Sequence, residues 1–365
     1  MRNNNWHPAE KQSTKHLPVN IKNKLEESGE KRMGKLAKED LEKLLSCIRK
    51  DPRVLVPPLP GYDAGVHFMG DKCMVVSTDP CVDVPLEWFG WLLINYAASD
   101  VAVFGAKPEY CTINLLGPAS TEPAVFQSLM EQVCGAAEKL GMVVVTGHTG
   151  FYEGVSKLIG VCTAYGAVAK DKLIMPGNAK AEDLILCTKQ VGLELLVNFS
   201  FTHKALAQRL FGAQRADELT RLVESQSCVK EALQLAEVGG VNAMHDATEG
   251  GFVAALNEVA DASEVGFRVE MEKLPISQEA WTLRDHFKLT LDEVLSMSST
   301  GTMLAAVNPQ AKEKVEEALH KVGVAASFVG NFTKNKNRVL TKSEGDRGFP
   351  QVACDPYSKI LSLQM

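Results

Sequence analysis

The 365-residue sequence contains no C-x-x-C pair, no G-x-x-x-x-G-K-[ST] loop, no G-x-S-x-G turn and no H-E-x-x-H helix. With them go the signatures of a clustered-thiol zinc site, a P-loop, an α/β-hydrolase nucleophile and a zinc peptidase. No uninterrupted apolar run reaches the roughly 18 residues of a membrane span; the best approach, Val84 to Ala98, is broken by Glu87 and Asn95. There is no basic excess: 39 Lys and Arg against 45 Asp and Glu leave a formal charge of −6, which argues against a nonspecific nucleic-acid binder. No repeat with a period of about 20–50 residues recurs, so solenoids and propellers drop out.

What remains is the mixture of a soluble folded chain, 45% apolar and 23% charged, long enough for two domains or one large one. Nine cysteines, an odd number, are scattered at Cys47, Cys73, Cys81, Cys111, Cys134, Cys162, Cys187, Cys228 and Cys354. They read as reduced, mostly core residues of a cytoplasmic protein. The C-x-x-K of Cys47 to Lys50 falls in a helical stripe and reads as coincidence, not as an activated thiol.

Residues 1–33 are rich in Asn, Lys and Glu, with little apolar periodicity and no secretory apolar core; they read as a flexible, solvated tail. Leu36, Leu41, Leu44, Leu45 and Ile48 predict a helix over 36–50, stopped by the prolines from Pro52 to Pro60. Cys73 to Ser77 predicts a strand ended by Asp79-Pro80, followed by a helix over 88–98 and a strand over 110–116. A helix over 123–140 stops at Gly141, a strand over 142–146 at Gly147, and a further strand covers 158–168. Pro176-Gly177-Asn178 marks the boundary between a domain over 34–175 and another over 178–365. The second holds strands at 183–187, 267–271 and 303–307, a long helical region over about 201–237, and helices at 252–262 and 309–322. Strands and helices alternate in both halves, so the class is α/β or α+β.

Four segments of the first half place an Asp or His beside small residues at the edge of an apolar element: around Asp63, Asp79, Asp100 and His148. Small neighbours let backbone and ligand approach closely. Three carboxylates brought to one point would repel unless a cation sat between them, and hard oxygen ligands suit Mg²⁺. Each also has a plain structural reading: Asp63 and Asp79 as turn residues, His148 as a hydrogen-bonding residue at a strand end. Asp100 as a helix-ending residue is electrostatically misplaced, because a helix C-terminus disfavours a carboxylate. In the second half, His245 to Gly251 (HDATEGG) opens the 252–262 helix. Asp246 and Glu249 fit the D-x-x-E spacing of a capping box, and Gly250 and Gly251 offer N–H groups suited to phosphate. Phe252, Leu256, Val259 and Ala260 form that helix's buried stripe.

In order along the chain, GYDAGV, STDPC, SDVAVFGAKP, VVTGHTG, TKQVGLE, HDATEGG and SSTGTMLAAV resemble the motif series of the PurM-like superfamily, over about residues 36–335. That superfamily holds aminoimidazole ribonucleotide (AIR) synthase, the hydrogenase maturation factor HypE, thiamine-monophosphate kinase and selenophosphate synthetase. The likeness is to HypE and the HypE-like AIR synthase related proteins. It implies a PurM-like two-domain fold, N-terminal domains paired in a homodimer, and ATP with Mg²⁺ in a cleft between the domains. It implies Asp63, Asp79 and Asp100 as metal and phosphate carboxylates, and Gly147, His148 and Thr149 as nucleotide contacts, with His148 where many members carry Asp. Asp246, Gly250 and Gly251 match the phosphate-proximal turn of the second domain.

The sequence departs from the family in three places. HypE ends in a cysteine that carries the group being dehydrated, whereas this sequence ends LSLQM, with Cys354 eleven residues earlier. His148 lowers the negative charge of its motif, and Tyr62 stands where kinase-type members often have a second acid. The expectation is an ATP- and Mg²⁺-dependent enzyme that activates an unidentified acceptor. A nucleotide-binding maturation or scaffold protein without turnover is the alternative of another class; it would capture a protein partner through residues 1–33 or the polar stretch 333–350. Thiamine-monophosphate kinase is the third.

Overall fold

The computed structural model describes Leu36 and residues 38–361, the side chain of Lys38 aside; the tail expected over 1–33 lies outside them. In the first half, strands β1 (Val54–Val56), β2 (Gly65–Met69), β3 (Lys72–Val82), β4 (Tyr110–Pro118), β5 (Val143–Tyr152) and β6 (Ile159–Ala169) form one sheet in the order β1-β2-β3-β6-β4-β5. Only β4 and β5 run parallel in it. Helices α1 (Lys38–Leu45), α2 (Phe89–Val103) and α3 (Pro123–Leu140) belong to this half. Residues of β6 alternate between core and partial exposure over almost its whole length, the mark of a sheet with one covered face.

The cover is α2. Every residue of it except Trp91 and Tyr96 is buried, because it packs against β3 and β6 on one side, α3 on another, and elements of the second half on a third. A helix that is apolar all round needs such enclosure. Helix α3 follows its sequence signals: Pro123 at its start, and Gly141 with φ +69° as a left-handed stop.

The second half forms the sheet β13-β12-β9-β11-β7-β10-β8. Its strands are β7 (Leu184–Thr188), β8 (Val241–Asp246), β9 (Gly266–Glu270), β10 (Met303–Val307), β11 (Ala326–Thr333), β12 (Arg338–Lys342) and β13 (Gly345–Gly348). Its helices are α4 (Leu193–Thr202), α5 (Lys204–Phe211), α6 (Ala213–Arg221), α7 (Val229–Val238), α8 (Gly251–Ser263), α9 (Gln278–Phe287), α10 (Leu291–Leu295), α11 (Lys312–Lys321) and α12 (Tyr357–Leu361). Helix α7 and strand β8 contact α2, so one apolar core runs from the first sheet into the second half. No helix among the described residues is long and apolar enough to cross a membrane. All nine cysteines are free thiols, and only Cys47, Cys134 and Cys354 are exposed.

Several local expectations need correction. Asp79-Pro80 does not end a strand: β3 runs on to Val82. Its pairing with β2 stops at Val76, whereas β6 pairs with it throughout. Pro80 therefore lies on a stretch with one unpaired edge, where a missing N–H costs nothing. Gly147 does not end a strand either; a Cβ there would lie 2.2 Å from the Ile113 carbonyl oxygen, so the glycine permits close pairing with β4. The helical region over 201–237 is several short helices, interrupted at His203, at Gly212 (φ +84°) and by a tight turn at Leu222–Ser225. The first helix ends at Leu45, not 50. The polar stretch 333–350 holds the β12–β13 hairpin, folded into the second sheet. Asp246 does not cap α8: it closes β8, and Gly250 is the N-cap. The capping box that does form is Thr290 with Glu293.

Candidate functional site

Four carboxylates named from the sequence meet where the two halves join. Asp63 lies in the loop before β2, Asp79 on β3, Asp100 in the last turn of α2, and Asp246 at the end of β8. Asp100 is 7% exposed, and its Oδ2 accepts from Ser77 Oγ at 2.6 Å. Burial, then the charges of Asp79, Asp246 and Asp63, hold its carboxyl well above the usual carboxylate range.

His245, on β8, ties two of these acids together. Its Nδ1 lies 2.7 Å from the Asp246 carbonyl oxygen and 3.2 Å from Asp63 Oδ2, and its Nε2 lies 3.0 Å from Glu258 Oε2 on α8. The Asp246 carbonyl can only accept, so Nδ1 carries hydrogen toward it, and the nearby carboxylates of Asp63 and Glu258 favour a protonated ring. Burial opposes that charge, but Asp63, Glu258 and Asp246 outweigh it and push His245 up to about 10. Asp63, His245 and Asp246 present ligand atoms within 4.8 Å of one another; His245 would join a metal only after giving up its proton. The donors that suit a hard cation are the carboxylate oxygens, with His245 neutralising part of their charge; this oxygen set fits Mg²⁺.

The turn after Asp246 leads into α8. Gly251 has φ +56°, and a Cβ on it would fall 2.2 Å from the Met297 carbonyl oxygen, so no larger residue fits. Gly250 N–H donates to Asp355 Oδ2 at 3.0 Å, and the same oxygen accepts from Ser298 Oγ at 2.5 Å. A carboxylate of the chain itself thus rests on the helix N-terminus, the place where an anion is favoured.

Gly147, His148 and Thr149 stand apart from the acids. Asp79 pairs with Cys162, Cys162 with Ile113, and Ile113 with Gly147. Gly147 is thus three strands across from Asp79, roughly 14 Å away at normal strand spacing. All three residues are exposed on the edge strand β5, and His148 Nε2 lies 2.6 Å from Tyr152 Oη.

Three residues close to this site escaped the sequence reading. His245 stood in the HDATEGG motif without a role, and Glu258 lay unremarked in α8. Glu194, at the start of α4, belonged to TKQVGLE. It is enclosed, its Oε2 accepts from Thr300 Oγ1 at 2.6 Å, and burial pushes it up to about 7 despite that bond. An acid within an otherwise apolar segment was the available signal in both glutamates.

The family model described as "AIR synthase related protein, N-terminal domain" matches residues 61–168, and its C-terminal counterpart matches 180–342. Selenide, water dikinase of Carboxydothermus hydrogenoformans is 25% identical over 339 residues, covering 84% of this chain and 95% of its own. Carbamoyl dehydratase HypE of Escherichia coli is 27% identical over 276 residues, covering 73% and 78%. The crystal structure of E. coli HypE superposes with a TM-score of 0.68 at 24% identity, over 79% of this chain and 88% of that one. A structure of HypE in complex with ATP gives 0.66 at 18% identity, over 87% and 96%. With both family domains matched in order and the HypE-like architecture shared, the chain belongs to the AIR synthase related family and has the PurM-like two-domain fold.

Proposed function

We propose that this protein is an ATP- and Mg²⁺-dependent enzyme that activates a still unidentified acceptor by phosphoryl transfer. One observation carries the reading: Asp100 is buried among Asp79, Asp246 and Asp63, an arrangement that costs stability unless a cation uses it. The dikinase and dehydratase relatives and the ATP complex of HypE support it. In this reading Asp63, Asp79 and Asp100 hold the metal, and Asp246, Gly250 and Gly251 face the phosphates.

When bound, Mg²⁺ would neutralise the triphosphate and polarise the transferred phosphoryl group. The chain's own residues do the positioning. Ser77 orients Asp100 through its hydrogen bond. His245 fixes Asp63 against β8 and keeps its charge balanced, and the glycine turn brings the N-terminus of α8 to the site, its Gly250 and Gly251 N–H groups held by Asp355 and the Thr248 carbonyl in this structure. Asp355 on Gly250 N–H supports the anion preference of that turn.

Within one chain β5 stands apart, so Gly147, His148 and Thr149 enter the reading as nucleotide contacts only in a homodimer. The exposed apolar side chains Val143, Val145, Phe151 and Tyr152 of that edge strand favour such pairing. The test is calorimetry with Mg-ATP on the wild type and Asp246→Asn, followed by ADP detection with candidate acceptors. Binding that weakens in the variant and ADP that appears with an acceptor are expected. Binding without any ADP would favour the scaffold alternative, and no binding at millimolar ATP would remove both.

A further inference from the structure

Away from the acids, a cavity of about 580 Å³ opens between α2, α3, the loop after β7, the segment leading into α7 and the loop after α11. That is the size of a small-metabolite pocket. None of the four carboxylates lines it. Its walls are partly apolar, with Trp91, Leu140, Leu222 and Val324 exposed to its interior.

The polar lining is unevenly satisfied. Lys189 is committed: its Nζ donates to the carbonyls of Ser225, Ser227 and Gly301 and pairs with Glu231 at 2.6 Å. Lys139 pairs with Glu224 at 3.1 Å. Lys230 is different. Its Nζ donates to the Val322 carbonyl at 2.7 Å, and among the described residues no carboxylate pairs with it. Gln190 also lines the cavity, but its Nε2, which has no hydrogen-bond partner in the protein, is buried out of reach of the open space. Its backbone is meanwhile held in place by Thr302 Oγ1, which donates to the Gln190 carbonyl at 2.7 Å.

We propose that this cavity is a second ligand site, separate from the acid cluster, for a small organic monoanion with an aromatic or apolar body. The anionic group pairs with Lys230, and the body lies against Trp91 and the aliphatic walls. Two of the three lysines on the lining are matched by Glu224 and Glu231, so the site carries one uncompensated positive charge. This sets the ligand's charge at one. The inference does not depend on the nucleotide reading.

The probe is anilinonaphthalene sulfonate, a monoanionic aromatic dye, titrated by fluorescence into the full-length protein. One tight site per chain is expected, with the affinity unchanged by saturating Mg-ATP. Lys230→Glu should weaken it about tenfold. Ala325→Trp, which fills the mouth from an exposed position, should abolish it. Both variants should melt at the wild-type temperature, because neither position is buried. Equal binding by the wild type and both variants would place the dye elsewhere, for instance on the exposed face of β5, and overturn the proposal. Displacement by Mg-ATP would assign the dye to the acid site and overturn it as well.

Discussion

Replacing Asp100 by Asn separates a cation site from a merely tolerated buried acid, because the two accounts predict opposite signs for stability and binding. Asp100 shares a hydrogen bond with Asp79 and accepts another from Ser77. Two carboxylates about 4 Å apart at an effective dielectric near 20 repel by about 4 kcal/mol, so without a cation the Asp100 carboxyl keeps its proton. Asparagine reproduces that neutral, hydrogen-bonding form. A carboxyl whose folded pKa is raised binds more protons in the folded than in the unfolded chain. Stability therefore falls as pH rises from the ordinary value of 3.8 up through the folded one. Asp100→Asn deletes that loss. Without divalent cations the variant should match the wild type near about pH 4 and exceed it near about pH 8. Its affinity for Mg-ATP should drop about 100-fold, or about 2.7 kcal/mol. Urea unfolding at the two pH values measures the first effect. Calorimetry in buffers of different ionisation enthalpy measures the second, together with proton release on binding that the variant lacks. A variant destabilised at both pH values and binding Mg-ATP normally would refute the reasoning.

Glu194→Gln follows the same logic: a rise from 4.5 to about 7 corresponds to about 3 kcal/mol of instability above neutral pH that vanishes in acid. Thermal unfolding should show the variant gaining stability at about pH 8.5 and not at about pH 4; equal gains would mean Glu194 is not the titrating group. His245→Gln removes a buried cation that pairs with Asp63, Asp246 and Glu258 and should destabilise by about 3–5 kcal/mol, with Glu258→Gln in the same chain restoring part of it in urea melts. Val145→Glu, at an exposed position of edge strand β5, should convert a homodimer to monomer in light scattering without lowering the unfolding midpoint of the monomer; a dimer that persists would locate the interface elsewhere.

Which of these features the sequence discloses depends on whether a residue has one structural meaning or two. Pro123 and Gly141 each had one, and α3 spans the predicted interval; Met303–Val307 is likewise a strand with the predicted bounds. Pro80 and Gly147 each had two. Both look like punctuation, but one tolerates an unpaired edge and the other lets two backbones approach. Their meaning is set by the neighbouring strand, which lies far away in the sequence. The acid cluster is a stronger case of the same dependence. Asp63 and Asp246 are separated by half of the chain, so no spacing rule relates them, and the motif order of a family was needed to gather them. A purely physical clue did exist at Asp100. Its helix is apolar on every side, and the carboxylate sits in the last turn, against the helix dipole. A fold that keeps a buried acid there gives up stability at neutral pH, and the three other acids deepen that loss. His245 compensates Asp63, Asp246 and Glu258, whereas Asp100 and Asp79 receive no ion pair among the described residues. The uncompensated pair is where a divalent cation would restore the balance, which makes Asp79 and Asp100, more than Asp63, the residues on which metal binding should depend.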